Sequence, residues 1–203
     1  AAGMLHDAGV MVDYNDHHKH GFYLVLNAGL PGFRHRELAL VALLVRSHRK
    51  ALPHSGENEA PAFHCNGAAL FLTDGRSATD RAAANKHPDT VLYDLVLDYG
   101  SATRIALARA DQCSDAAYNS VVGLFQAAGY AVTRLDDVPG MAVMRTVAML
   151  ANEAADAVNQ GVCNAQAVDI AMQKGVNYPR GPLAWADAVG LAHVATVLSN
   201  LSS

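Results

Sequence analysis

Cysteine is scarce and scattered. Cys65, Cys113 and Cys163 are odd in number, far apart and form no CxxC pair, which excludes a disulfide framework and a thiolate zinc cage. Charge is sparse as well: 17% of residues are charged, 51% are hydrophobic, and the net charge is −4 with histidine neutral. Bulk electrostatic attraction to nucleic acid or to an anionic membrane is therefore not expected. No apolar run approaches the roughly 18 residues that cross a bilayer. No signal-peptide pattern opens the chain, which begins on Ala1 rather than methionine. A reducing, cytoplasmic setting is the expectation. What the sequence does have is apolar material enough to bury a core, over 203 residues, the length of one ordinary domain or two small ones.

Histidine is unevenly spread. Eight of the ten lie at His6, His17, His18, His20, His35, His48, His54 and His64, with only His87 and His193 beyond. The chain reads as parts of different origin. Residues 1–53 look helical, with Leu38, Val41, Leu44, Val45 and His48 at three- and four-residue spacing. Residues 54–67 look like a linker, broken by glycine, proline and polar residues. Residues 68–135 predict a partial α/β unit. Its strands are Ala68–Thr73, Thr90–Leu97, Arg104–Ala110 and Tyr130–Leu135, and its helix runs from Ser114, an N-cap type, to Ala128 before Gly129. Residues 136–203 predict helices. The first starts near Asp137 and Pro139, with an apolar stripe of Val143, Val147, Leu150, Ala154 and Val158. The second is capped by Asn164 and stopped by Gly175, and two short ones are split at Gly190. The fold class expected is mostly α: helical segments, a small α/β remnant at about 68–135, and a helical C-terminal domain.

The stretch from Asp136 to Leu191 carries a set of local signals in fixed order. Asp137-Val138-Pro139-Gly140 is followed by Asn152-Glu153-Ala154, Gly161-Val162, Asp169, Ala171-Met172 and Gly175. Pro179, Gly181-Pro182, Asp187 and Val189-Gly190-Leu191 complete it. This order resembles the C-terminal helical domain of the 3-hydroxyacyl-CoA dehydrogenases, with a looser likeness reaching back to residue 68. It looks most like the second, degenerate copy of that domain in the two-copy enzymes. The resemblance implies a helical wall on the acyl-CoA side and a dimer interface. It also implies a substrate-side asparagine in Pro-Gly-Phe-x-x-Asn-Arg. The matching residues here are Pro139, Gly140, Met141, Met144 and Arg145, so Met144 stands in the place of the amide. No G-x-G-x-x-G opens a βαβ unit, and Leu92–Tyr99, where the family places its catalytic histidine, has none. Hydride transfer needs a nicotinamide and a base for the hydroxyl proton, so NAD is not expected. An active NAD-dependent 3-hydroxyacyl-CoA dehydrogenase is the weakest of three readings.

Residues 1–53 carry Leu5-His6-Asp7, His17-His18-Lys19-His20-Gly21, Tyr23-Leu24, Asn27, Leu30-Pro31-Gly32-Phe33 and His48-Arg49-Lys50. They resemble the C-terminal, HD-like domain of the exopolyphosphatase and guanosine pentaphosphate phosphohydrolases. That resemblance implies a divalent metal, held here by His6, Asp7, His20 and His48. A metal needs about four donors at fixed distance, and a helix-to-helix hydrogen bond between His6 and Asp7 explains the pair without one. Elsewhere, Ser101, Ser114 and Ser120 lack nucleophile-elbow glycines, His64 beside Cys65 is mere adjacency, and Trp185 fits a core. Arg145, Lys174 and Arg180 are the cationic candidates for the phosphates of an acyl-CoA, with helix C-termini or solvent as their plainer use.

Three functional expectations follow. The first is a non-catalytic, acyl-CoA dehydrogenase-like helical protein that dimerises through its C-terminal helices or contacts acyl-CoA or a phosphate ligand. The second is a metal-dependent phosphohydrolase built on the N-terminal His/Asp cluster. The third is the active dehydrogenase.

Overall fold

The structure is a computed structural model that describes residues 63–97 and 102–202. Five strands and six helices lie within those residues. They are β1 Phe63–Cys65, β2 Ala68–Leu72, α1 Ala78–Asn85, β3 Thr90–Tyr93, β4 Arg104–Arg109, α2 Asp115–Ala127, β5 Ala131–Arg134, α3 Val143–Asn159, α4 Ala165–Gly175, α5 Pro182–Val189 and α6 Leu191–Leu201. The described residues thus hold the small α/β part and the helical C-terminal part that were expected, but with five strands they are mixed α/β and not clearly mostly α. The single sheet holds the strands in sequence order. Its β2/β3 and β4/β5 pairs are parallel, and β1/β2 and β3/β4 are antiparallel.

Each parallel pair is joined by a helix, as parallel strands require: α1 connects β2 to β3, and α2 connects β4 to β5. Strands β2 and β3 are buried at every position, which is why Ala68–Leu72 reads as a continuous apolar run and not as an alternation. Helix α1 packs on β3 and β4, and α2 reaches β1, β2, β4 and β5. The aromatic ring of Phe125 in α2 meets Tyr130 edge-on, with centroids 6.2 Å apart.

Two elements stand where the sequence reading placed none. Helix α1 is polar, which hid it from a periodicity argument; Ser77 and Asp80 mark its start instead. The Ser77 side chain accepts the Asp80 N–H at 3.0 Å, an N-cap, and its hydroxyl donates to the Asp80 carboxylate at 2.6 Å. Strand β1 ends the stretch expected as a linker. Asn66 and Gly67 both take positive φ, 47° and 89°, and make the two-residue turn that joins β1 to β2.

The helical part is built on α3, which contacts α4, α5 and α6. Its buried face is Met144, Val147, Ala148, Ala151 and Ala154, a helical spacing. That stripe keeps Val147 and Ala154 from the one expected but takes Met144, Ala148 and Ala151 in place of Val143, Leu150 and Val158, and the helix begins at Val143, not near Pro139. Gly140 and Met141 have φ of 76° and 53°, which closes a turn ahead of the helix and leaves Val143 exposed. In the second layer Tyr178 stacks on Trp185, centroids 5.7 Å apart, so Trp185 is half-buried and not fully in the core.

Helix α6 packs against the turn after β2. Gly75 has φ of 101° and lies so close that a Cβ there would sit 2.6 Å from the Val197 carbonyl oxygen. A Gly75→Ala protein is expected to lose about 2 kcal/mol or more, from left-handed strain plus the displaced helix. Urea unfolding with an unchanged slope checks this.

Candidate functional site

Open α/β sheets hold ligands at the carboxyl ends of parallel strands, and here β2 and β3 each end on an aspartate. Asp74 follows β2 and Asp94 follows β3; both are 1% exposed. Buried carboxylates need partners, and these find theirs in different ways.

Asp74 is held by arginines. The Arg76 backbone N–H donates to its Oδ1 at 3.1 Å, and the Arg76 guanidinium donates to Oδ2 at 2.9 and 2.5 Å. Arg81, itself 2% exposed, lies 3.1 Å from the same oxygen. Arg81 also donates to the Leu72 carbonyl at 2.9 Å and stands 4.2 Å over the Phe71 ring. Burial pushes the Asp74 carboxyl up, but the Arg76 hydrogen bond and the charges of Arg81 and Arg76 outweigh it and hold the group below the ordinary 3.8. Two bonds from α6 close the same corner: Asn200 donates to the Asp74 carbonyl at 2.9 Å, and His193 Nε2 lies 3.2 Å from the Thr73 carbonyl.

Asp94 is held by backbone. The N–H groups of Ala142 and Val143 donate to its Oδ2 at 2.9 and 2.7 Å, and those of Met144 and Leu95 to Oδ1 at 2.9 and 2.8 Å. Three of these donors are the first amides of α3, which has no side-chain cap of its own. Asp94 therefore caps the helix from the sheet, where the helix dipole favours negative charge. Met144, where the resembling family has an asparagine, is fully buried in the same corner.

The device recurs. Asp137 accepts the N–H groups of Ala78 and Thr79 at 2.5 and 2.8 Å, at the start of α1. Asp169, on α4, accepts those of Leu183 and Ala184 at 2.9 and 3.1 Å, at the start of α5. The start of α1 is where a βαβ unit receives a pyrophosphate. In this chain a carboxylate holds those amides, so an entering phosphate would meet Asp137 and no glycine-rich loop.

The cationic candidates are dispersed. Arg145 is exposed and its Nη1 donates to the Pro139 carbonyl at 3.1 Å. Lys174 sits in the last turn of α4, a favourable place for a cation, and Arg180 lies in the exposed turn before α5. Neither is hydrogen-bonded to another described residue. His6, Asp7, His20 and His48 lie outside the described residues. Among the described ones no group of three or more His, Cys, Asp or Glu side chains could hold a metal. Cys113 is a buried thiol whose desolvation, with Asp89 beside it, pushes it up to about 11, a value at which thiolate chemistry is slight. Sequence reasoning missed the capping work of Asp94 and Asp137, since a carboxylate's distant partners leave no local pattern; Asp169 was noted only as a motif element.

Comparison with known proteins matches these parts separately. Residues 70–139 match the family model for the 3-hydroxybutyryl-CoA dehydrogenase reduced Rossmann-fold domain. Residues 140–203 match the one for the 3-hydroxyacyl-CoA dehydrogenase C-terminal domain. Residues 1–66 match the one for Ppx/GppA phosphatase, domain III. The 3-hydroxyadipyl-CoA dehydrogenase of Escherichia coli (strain K12) is 40% identical over 132 residues, covering 65% of this chain and 27% of that protein. A guanosine-5'-triphosphate,3'-diphosphate pyrophosphatase of Pseudoalteromonas translucida (strain TAC 125) is 33% identical over 52 residues, 26% of this chain and 10% of that protein. The crystal structure of 3-hydroxybutyryl-CoA dehydrogenase from Escherichia coli K12 superposes with a TM-score of 0.63 at 31% identity. It covers 78% of this chain and 35% of that one. The chain thus spans a minor part of each relative's length.

Two outcomes test the site. Asp94→Ala takes the acceptor from four amides, two of them buried, and is expected to cost roughly 3 kcal/mol or more, whereas Asp169→Ala, a half-exposed cap, costs about 1 kcal/mol; denaturant titration ranks them. Asp74 has a depressed folded pKa, so its stabilisation is complete above the unfolded carboxylate's 3.8 and is lost as pH falls below that value. An Asp74→Asn protein should accordingly show a shallower loss of stability below pH 3.8 than the parent.

Proposed function

We propose that the described residues form a non-catalytic scaffold of the 3-hydroxyacyl-CoA dehydrogenase type, which holds two copies of the chain together through the α4 side of its helical part. The observation that carries the non-catalytic reading is Met144: the position matched to the family's asparagine bears a thioether, is fully buried, and gives its N–H to Asp94. It offers no amide to a substrate. Supporting it, the amides at the start of α1 are engaged by Asp137, and no histidine lies in Leu92–Tyr99.

The dimer reading rests on α4. This helix has no buried residue, and apolar side chains on and beside it stand in solvent: Val162 at 73%, Ile170 at 48% and Val176 at 55% exposure. Exposed apolar surface of this kind marks an association face. Arg145, Lys174 and Arg180, all exposed, remain the residues proposed to meet an acyl-CoA phosphate. The expected outcomes are no turnover of acetoacetyl-CoA with NADH, and a dimer in sedimentation that Ile170→Glu converts to monomer without loss of helical signal. Measured turnover, or a monomeric parent, overturns the corresponding half of the reading.

The match of residues 1–66 to a phosphatase domain favours a second reading, a metal-dependent phosphohydrolase whose donors are His6, Asp7, His20 and His48. Purified protein analysed for Mn, Mg and Zn decides it: stoichiometric metal lost in a His6→Ala, Asp7→Ala double variant supports it, and metal-free protein ends it.

A further inference from the structure

Two histidines brought together by the sheet have no part in the readings above. His64 lies on β1 and His87 in the turn between α1 and β3. Their ring centroids stand 5.9 Å apart, with the planes inclined at 52°. Strand pairing produces this approach. His64 is opposite Ala69 of β2, and Ala69 is opposite Thr90 of β3, so the three form one row across the strands. His87 is anchored beside that row: its carbonyl accepts the Thr90 hydroxyl at 2.7 Å, and its N–H donates to the Ala82 carbonyl at 3.0 Å. Backbone bonds thus hold both residues in place, while each ring keeps its side-chain torsions for adjustment.

The two rings are unequal. His64 is exposed and His87 is half-buried. Nδ1 of His87 is shielded from water and has no hydrogen-bond partner. A buried polar atom in that condition is costly and calls for an ion or a water. A cation between the rings answers it. Zinc–nitrogen bonds of about 2.0–2.1 Å put the centres of two imidazoles on one tetrahedral ion about 5 Å apart. The observed spacing therefore needs an approach of roughly 1 Å or less. The Asp89 carboxylate lies within electrostatic reach of His87 and adds a favourable field for a positive ion. Imidazole nitrogens suit zinc, copper and nickel and not the hard cations. No third protein donor joins the pair among the described residues, so water completes the coordination, as it does the open position of catalytic zinc sites.

We propose that His64 and His87 form a two-imidazole site for a zinc-type divalent cation, which staples β1 to the turn before β3 across the intervening β2. The site is separate from the metal of the phosphohydrolase reading, whose donors are His6, Asp7, His20 and His48.

The test titrates zinc chloride into the full chain carrying His6→Ala and Asp7→Ala, so that failure of the phosphohydrolase reading leaves this one standing. In heteronuclear NMR spectra the ring resonances of His64 and His87 are expected to move together, at one midpoint. His64→Ala, at an exposed position, should weaken the His87 response about tenfold or more, at least the loss that follows removal of a ligand's supporting partner. His87→Gln should do the same to the His64 response. Cys65→Ser, whose thiol serves the Ser120 carbonyl at 3.7 Å, should leave both responses unchanged, and magnesium in place of zinc should move neither ring. Rings that stay still or move at different midpoints, a His87 response that survives His64→Ala, or a zinc response that Cys65→Ser removes would overturn the proposal.

Discussion

A helix that starts inside a protein presents amides that must be answered, and the answer organises this molecule. Three helices begin against other elements, and each start is met by a carboxylate from elsewhere: Asp94 for α3, Asp137 for α1 and Asp169 for α5. These contacts span 48, 59 and 14 residues of sequence, so they also fix how the layers lie. Asp94 ties the sheet to the helical part. Asp137, on the segment that leaves the sheet, ties that segment back to α1. A hydrogen bond to a charged group contributes about 1.5–3 kcal/mol, and one carboxylate serves several donors at once.

The same economy bears on function. The helix starts that an α/β protein uses to hold anions are here engaged by the protein's own anions. Asp74, at the end of β2, is neutralised by two arginines, one of them buried. In the corner between sheet and helices both buried aspartates are thus partnered, with Met144 packed beside them.

Periodicity and turn chemistry made much of the fold legible. Strands at Ala68, Thr90 and Arg104, the helix from Ser114 and the C-terminal helices all stand within a few residues of where hydrophobic runs, caps and glycines placed them. What escaped did so for physical reasons. Helix α1 is short and alanine-rich with few apolar anchors, so only Ser77 and Asp80 announce it. Strand β1 has three residues, below the length at which alternation can be seen, and only Asn66-Gly67 betrays its hairpin. The start of α3 was misplaced because Pro139 is compatible with a first turn, whereas positive φ at Gly140 and Met141 is a property of the folded turn. For the site, the motifs located Met144 and Asp169 but not the partners that give them meaning, since those partners lie in other elements.

Trp185, the single tryptophan of the chain, lies in α5 against Tyr178, while Tyr93, Tyr118 and Tyr130 are buried in or beside the sheet. Tyr118 is further set between the guanidinium groups of Arg109 and Arg134, 5.3 and 5.2 Å from its ring. Among the described residues, indole emission follows the helical part, and three of the four tyrosines report on the sheet. Whether the two signals move together on heating measures how far the Asp94 contact makes one thermodynamic body of the two layers.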